Sequence, residues 1–190
     1  MELNVNLGKD SYRILIERGL LKRAAKEIRE IYQGKKIAVI SDDSVYAFYG
    51  ESLLEQLKEY WECSAVILPH GEASKSIDVL PGVYAQLLEA GISRSDLIVA
   101  LGGGVVGDLA GFAAATYLRG IPFVQIPTSL LAQVDSSVGG KVAVDLKEGK
   151  NLVGASMTEW EKSSSMAASR MQSFLRCSGG PEVLTDLRII

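Results

Sequence analysis

The chain has 190 residues, of which 47% are hydrophobic and 23% are charged, and its formal net charge is −3. This length suits one domain with a substantial core, and the mild acidity excludes the basic field that recruits nucleic acid or an anionic membrane. The amino terminus lacks the regions of a secretion signal and two cysteines are too few for a disulfide framework, so we expect reduced thiols and a cytoplasmic location.

Strands alternate with helices along most of the chain. Short apolar runs rich in β-branched residues predict buried strands, and apolar residues at helical spacing predict the helices between them. Strands are predicted over residues 3–7 and 12–16, around a turn at 8–10, and then over 36–41, 64–68, 97–101 and 122–126. Helices are predicted over 20–31, 51–61, a stretch ending at Gly91, and 105–116. Residues 141–145 and 151–153 are expected to pair across a turn at 147–149.

This alternation indicates an α/β fold, a Rossmann-like parallel sheet with helices on both faces. In such sheets ligands bind beyond the carboxyl ends of the strands. The sequence predicts one ligand site there, because polar or glycine residues follow four of the strands. They are Asp42 after one strand, Glu72 and Lys75 after the next, Gly103 and Gly104 after the third, and Thr128 and Ser129 after the fourth.

The most informative stretch runs from Asp96 to Ala155, where a short apolar strand leads into three glycines and a helix. A strand, a glycine turn and a helix place bare backbone N–H groups and a positive dipole end where a phosphate binds. Gly102 to Gly107 fits the G-x-G-x-x-G spacing, but no acidic residue lies about 20 positions further on. On this pattern alone, a turn that only packs a helix on a sheet remains an alternative.

Six motifs together resemble those of the 3-dehydroquinate synthase family in order and spacing. They are GEASKS at 71–76, GGGVVGD at 102–108, YLRG at 117–120, PTSLL at 127–131, DSSVGGK at 135–141 and GKNLVG at 149–154. The resemblance covers residues 34–154 well and the first 33 residues loosely. It implies NAD as cofactor and a divalent metal, zinc or cobalt, held by a glutamate and two histidines in a helical second domain.

The resemblance implies a cofactor site at the strand ends. Asp42 matches the acid that holds the adenosine ribose, although it is also placed to cap the next helix, and Ser44 stands where the family often has a cofactor-contacting asparagine. Glu72 and Lys75 are equally typical of a surface pair at a helix start, and Asp108 is expected in the first helical turn, where the dipole favours it. The PTSLL segment is also typical of a helix start. The implied cofactor set is Asp42, Glu72, Lys75, Gly103, Gly104, Val105, Asp108, Thr128, Ser129, Leu131, Asp135, Lys150 and Asn151.

The implied catalytic set is Arg119, Asp135, Lys141 and Asn151. Arg119 and Lys141 lie beside glycine-rich backbone, as a substrate with phosphate and carboxylate groups requires, although a single lysine is by default a solvated surface residue. By resemblance, Asp135 positions substrate hydroxyls and the nicotinamide, and Asn151 follows Lys150 near cofactor and substrate.

The chain has one histidine, His70, and its cysteines lack metal-ligand spacing. We therefore expect no metal site within this chain, and for His70 a surface-loop position without a partner. Residues 1–155 are predicted to form an NAD-binding domain, with the family's helical metal-binding domain largely absent. Residues 156–190 are left unexplained, as the end of an expressed fragment, a divergent linker or start of the second domain, or a sequence artefact.

The resemblance implies a carbon–oxygen lyase of the shikimate pathway, which converts 3-deoxy-arabino-heptulosonate 7-phosphate to 3-dehydroquinate and phosphate. The implied partners are this substrate, the missing second domain and a second copy in a homodimer, with no nucleic acid and no membrane. Three alternatives stay open: a related sugar-phosphate cyclase, a metal-dependent polyol or glycerol-phosphate dehydrogenase, and an NAD-binding module without turnover. The DSSVGGK motif favours the dehydroquinate branch over other cyclases.

Overall fold

The computed structural model describes residues 1–6, 12–156 and 172–178 of the chain. The elements up to the middle of the chain are β1 (Glu2–Val5), β2 (Tyr12–Arg18), α1 (Ala24–Ile31), β3 (Lys36–Asp42), α2 (Asp43–Val45), α3 (Glu51–Lys58), β4 (Glu62–Leu68) and α4 (Leu80–Glu89). The later elements are β5 (Leu97–Gly102), α5 (Gly104–Thr116), β6 (Phe123–Pro127), β7 (Lys141–Leu146), β8 (Gly149–Ser156) and β9 (Gln172–Ser178).

The central sheet has seven strands in the order β1-β2-β9-β6-β5-β3-β4. All neighbouring pairs are parallel except β1 with β2, which are antiparallel at one edge. β7 and β8 form a separate antiparallel hairpin. The α/β architecture predicted from the sequence is therefore confirmed, as is the hairpin. β9 adds a strand that the sequence did not predict, between β2 and β6.

Alternation along the parallel strands divides the core into two parts, one on each face of the sheet. In β3, Ile37 and Val39 pack with α1 and α3 on one face, while Ala38 and Ile40 pack with α4 and α5 on the other. Successive side chains of a strand point to opposite faces, and both sets are fully buried here. This is why the strand segments are continuous apolar runs, and it confirms helices on both faces.

Helix α5 lies between the sheet and the β7–β8 hairpin. Nine of its thirteen residues are buried, which its small and apolar sequence allows. Gly111 lets the hairpin approach, because a Cβ at this position would collide with Cγ1 of Val142 in β7 and lie 3.1 Å from Phe123 of β6. The helix is thus held on both sides, which fixes its amino-terminal end relative to the strand ends.

Several boundaries differ from the sequence prediction. α3 ends at Lys58 rather than at residue 61, and α4 is preceded by a 3-10 turn whose start is capped by Ser76, with Oγ 3.2 Å from the Asp78 N–H. Gly91 follows α4 with φ of +64°, as expected for a helix-ending glycine. The predicted turn at 8–10 lies outside the described residues. Across residues 1–6, 12–156 and 172–178, every helix is too short or too polar to span a bilayer.

Candidate functional site

The four central strands end level with one another. Asp42 of β3 pairs with Leu68 of β4, and Gly102 of β5 pairs with Pro127 of β6. The residues that follow these ends therefore lie on one rim, as the sequence predicted. The rim is built from the Asp42–Asp43 step, the 69–76 loop, the glycine turn of β5 and the segment after Pro127.

The glycine turn forms a bare helix start at the centre of this rim. The first N–H groups of a helix have no intrahelical acceptor, and Gly103, the N-cap of α5, supplies no side-chain cap for them. An added Cβ would lie 3.3 Å from Ser129 Oγ at Gly103 and 3.1 Å from Ser136 Oγ at Gly104. The glycines and the two serines thus line one crevice, which suits a phosphate group bound at a helix start. Ser136 was missed by sequence reasoning, although it lies inside the DSSVGGK motif.

Asp42 is the N-cap of α2. Its Oδ1 accepts a hydrogen bond of 2.9 Å from the Val45 N–H, which is the capping role that the sequence left open. A carboxylate has further lone pairs that can accept ribose hydroxyls, so the cap does not exclude the ligand role.

His70 has a partner, and the expectation that it has none was wrong. Its backbone N–H lies 3.1 Å and its Nδ1 lies 2.8 Å from Oδ1 of Asp43. This hydrogen bond holds the pKa of the exposed Asp43 carboxyl below its ordinary value. Only the fold brings the two residues together, because they follow different strands that happen to be neighbours.

Lys75 and Asp108 form a partly buried ion pair. Nζ lies 2.5 Å from Oδ2, and the two side chains are 10% and 18% exposed. Burial raises the pKa of Asp108, and the hydrogen bond and charge of Lys75 oppose that rise. Asp108 is in the second turn of α5 and not in the first, because the helix begins at Gly104. The dipole explanation offered from the sequence is therefore wrong, and Lys75 is what stabilises this carboxylate.

Glu72 bonds to Lys150 of β8 rather than to Lys75, at 2.8 Å between Oε1 and Nζ. The contact raises the pKa of Lys150. It is exposed, so by itself it adds little to stability. Its importance is geometric, since it joins the 69–76 loop to the hairpin and brings three predicted cofactor residues, Glu72, Lys75 and Lys150, to one place.

The segment after Pro127 covers one side of the crevice. Ser129 Oγ accepts from the Ala132 N–H at 3.3 Å, so this segment does begin a helical turn. The Gly139 N–H donates to Tyr12 of β2 at 3.1 Å, and Gly139 and Gly140 both have positive φ.

The segment after Pro127 also carries exposed residues. Asp135 is exposed, and so is an apolar ridge on the same segment. The ridge consists of Leu130, Leu131, Val134 and Val138, which are 41–65% exposed.

The structure does not bring Arg119 to this rim. Arg119 follows the far end of α5, about 20 Å from its start for a helix of thirteen residues, and it precedes β6, whose Phe123 pairs with Ile98 near the start of β5. Leu118 and Arg119 have φ values of 51° and 70°, a backbone conformation that costs a non-glycine residue about 1–2 kcal/mol. Lys141 also stands apart, at the open end of the hairpin opposite Ser156.

Across the parts of the chain that the structure describes, no three His, Cys, Asp or Glu side chains lie close enough to hold a metal ion. The resemblance assigns the divalent metal to ligands of a second helical domain, outside these residues. The rim residues do fit an anionic, hydroxyl-bearing ligand. N–H groups and serine hydroxyls lie at the centre, and beside them are Lys75, Lys150 and the carboxylates of Asp42, Glu72 and Asp108.

A family model described as 3-dehydroquinate synthase N-terminal matches residues 65–180, which extends beyond the limit of residue 155 that the sequence motifs reach. Curated relatives include the 3-dehydroquinate synthases of Clostridium acetobutylicum, 56% identical over 153 residues, and of Pelobacter propionicus, 54% identical over 154 residues. Each alignment covers 80% of this chain and 43% of the relative. The chain thus spans less than half the length of these relatives.

Solved structures also match. A 2-epi-5-epi-valiolone synthase from Streptomyces hygroscopicus with NAD⁺ and Zn²⁺ bound superposes with a TM-score of 0.71 at 26% identity, over 90% of this chain and 44% of the other. A 2-deoxy-scyllo-inosose synthase with carbaglucose-6-phosphate, NAD⁺ and Co²⁺ gives a TM-score of 0.77 at 24% identity, over 93% and 44%. The second likeness supports the fold alone. The family model covers more than half of the chain, and the chain therefore belongs to the 3-dehydroquinate synthase family.

Proposed function

We propose that the chain forms the NAD⁺ site and part of the substrate site of a 3-dehydroquinate synthase. The activity of the whole enzyme is the conversion of 3-deoxy-arabino-heptulosonate 7-phosphate to 3-dehydroquinate and phosphate. The observation that carries this proposal is the bare start of α5, where Gly103 and Gly104 face Ser129 and Ser136. The family membership and the NAD⁺ in the valiolone synthase structure support it.

NAD⁺, when bound, supplies a hydride acceptor for a substrate hydroxyl. The residues of this chain bind and orient it. The N–H groups at the start of α5 take the pyrophosphate, and Asp42 accepts the ribose hydroxyls at the end of β3. Thr128, Ser129, Leu131 and Asp135 lie on the segment beside the crevice, where the nicotinamide half is expected. Lys150 and Asn151 come from the hairpin.

For the substrate, the expected contacts are Asp135, Lys141 and Asn151 on this chain. Lys141 is an exposed cation on β7, which suits it to a phosphate that arrives from outside the domain. Arg119 stays a prediction as a substrate residue, and its position away from the rim means that it does not act on the crevice described here. The lyase class, a homodimer, a cytoplasmic location and a domain boundary at residue 155 also stay predictions.

Calorimetric titration of the chain with NAD⁺ tests the proposal. The wild type is expected to bind, and Gly104→Val is expected to bind at least about 100-fold more weakly, because a branched side chain would fill the phosphate's place and press on Ser136. Gly82→Ala is the control, since a Cβ there would have nothing within 4 Å. Equal affinity for wild type and Gly104→Val would contradict the proposed site.

A further inference from the structure

Asp145 lies where the pairing of the β7–β8 hairpin is interrupted. Val144 pairs with Val153, and Leu146 pairs with Gly149, so three residues of β8 stand opposite Asp145 alone. Asn151 is the middle residue of the three and has φ of 55°, the left-handed region that residues other than glycine rarely adopt. Such a bulge re-aims the residues it contains, and bulges are common beside active sites.

Two hydrogen bonds meet at Asp145. Its carboxylate Oδ1 accepts from the Asn151 N–H at 2.7 Å, which replaces the acceptor that the interrupted ladder no longer provides. Its own N–H donates to the carbonyl oxygen of Lys75 at 2.8 Å, and it forms a parallel bridge with Ser76. Asp145 is therefore the residue through which the bulge is attached to the 69–76 loop.

The two lysines at this part of the rim are paired with carboxylates other than that of Asp145. Lys75 bonds to Asp108 and Lys150 bonds to Glu72, at 2.5 Å and 2.8 Å. The charge of Asp145 still reaches both pairs, since it contributes to the raised pKa of Asp108 and to that of Lys150. Asp145 thus stands between two lysine–carboxylate pairs at the rim, and its oxygen bonds to a backbone N–H.

We propose that Asp145 is a positioning residue of the cofactor site: it holds Asn151 in the left-handed conformation and so fixes Lys150 and Asn151 relative to the Glu72–Lys75 loop. The inference rests on the proposed NAD⁺ site. Asp145 acts through Asn151 and the Lys75 backbone and is not a catalytic residue. The neighbours of Asp145 along the sequence do not indicate this role, because its contacts are with Asn151 and with the 69–76 loop.

Three variants of the full chain test this role: Asp145→Ala, Asp145→Asn, and Glu148→Ala as a control in the turn of the same hairpin. Two quantities are measured, the hydrogen exchange rate of the Asn151 amide by NMR and the NAD⁺ affinity by calorimetry. In Asp145→Ala the amide is expected to exchange at least about 10-fold faster and NAD⁺ to bind about 10-fold more weakly, since a hydrogen bond to a charged acceptor is lost. Asp145→Asn keeps an acceptor oxygen, so its exchange rate and NAD⁺ affinity are expected to stay within about threefold of the wild type. Glu148→Ala is expected to match the wild type in both quantities.

Each other outcome overturns part of the inference. Unchanged exchange at Asn151 in Asp145→Ala would show that Asp145 does not hold the bulge, and faster exchange with unchanged affinity would show that the bulge does not serve the cofactor site. If Asp145→Ala fails to fold, the exchange rate is compared in folded Asp145→Asn instead. An Asn151 amide that exchanges in this variant as fast as a fully exposed amide would overturn the acceptor role. The exchange measurement needs no cofactor, so it decides the positioning even if the wild type fails to bind NAD⁺, a result that would instead remove the proposed function.

Discussion

The Lys75 ammonium lies 2.5 Å from the Asp108 carboxylate, and the contact joins the loop after β4 to the second turn of α5. Both side chains are largely buried, and burial raises the pKa of Asp108 while Lys75 opposes the rise. The pair therefore stabilises the rim only while both members are present, because either one alone would be a buried charge without a partner.

We expect Lys75→Met to destabilise the fold by about 2–3 kcal/mol at pH 7, since Asp108 is left ionised and buried. The loss should be smaller at pH 5. A carboxyl whose folded pKa is raised binds a proton more readily when folded than when unfolded, so stability falls as pH rises through the interval between the two pKa values. Removing Lys75 raises the folded pKa further and widens that interval. Chemical unfolding of wild type and variant at both pH values measures the effect.

The control for this experiment is the double variant Lys75→Met, Asp108→Leu, which removes both charges. It is expected to recover most of the lost stability, and its remaining loss relative to wild type is expected to be the same at pH 5 and pH 7. A single variant whose loss is the same at pH 5 and pH 7 would contradict the assignment of the effect to Asp108.

Two glycine-to-alanine substitutions in helices should have opposite signs. Gly82→Ala in α4 adds a Cβ with nothing within 4 Å, so it is expected to stabilise the fold by about 0.5 kcal/mol through helix propensity. Gly111→Ala in α5 drives a Cβ into Val142 and towards Phe123, and a loss of about 1–3 kcal/mol is expected from overpacking. Thermal unfolding of both variants decides this, and a stabilising Gly111→Ala would show that β7 does not pack closely on α5.

The hydrogen bond between His70 and Asp43 predicts a change in titration. His70→Ala removes the main cause of the lowered Asp43 pKa, so that pKa should rise toward its ordinary value. Because a depressed carboxyl pKa contributes stability that is lost as pH falls through the folded value, the variant should also be less sensitive to acid. NMR titration of the Asp43 carboxyl carbon measures the shift. An Asp43 that titrates identically in wild type and variant would mean that the contact does not form in solution.

The exposed apolar ridge on the segment after Pro127 predicts self-association of the isolated chain. Leu130 and Val134 are 45% and 47% exposed beside the crevice, and a contiguous apolar surface of this kind favours association. We expect sedimentation of the wild type to depend on concentration and the double variant Leu130→Lys, Val134→Lys to sediment as a monomer. Leu88→Lys on α4, which replaces a leucine that is 69% exposed outside the ridge, is the control. A wild type that is monomeric at all concentrations would contradict the prediction.

Much of the fold could be predicted from the sequence because it depends on local patterns. The alternation of Ile37, Ala38, Val39 and Ile40 between two buried faces requires helices on both sides, and the glycines after β5 mark a turn at the sheet edge. The rim could be predicted for the same reason, since the carboxyl ends of parallel strands share one edge. These inferences needed only the order of the elements.

The pairing of side chains within the rim could not be predicted in this way. Glu72 and Lys75 are close in sequence but bond to Lys150 and Asp108, because the hairpin and α5 both lie against their loop. The positive φ values at Leu118 and Arg119 likewise have no signal in their residue types. Contacts between distant segments depend on where each element begins, and a shift of one residue at α5 was enough to put Asp108 in the wrong turn.

The place of β9 between β2 and β6 has a consequence for synthesis on the ribosome. Once Pro127 has emerged, β3, β4, β5 and β6 can pair with one another, since the three pairings among these four strands need no later part of the chain. The β1–β2 hairpin, although made first, has no neighbour in the sheet until residues 172–178 arrive. Such long-range closure is slow, and until it occurs β6 presents an unpaired edge that can pair with another chain. The first strands to leave the ribosome are thus the last to join the sheet.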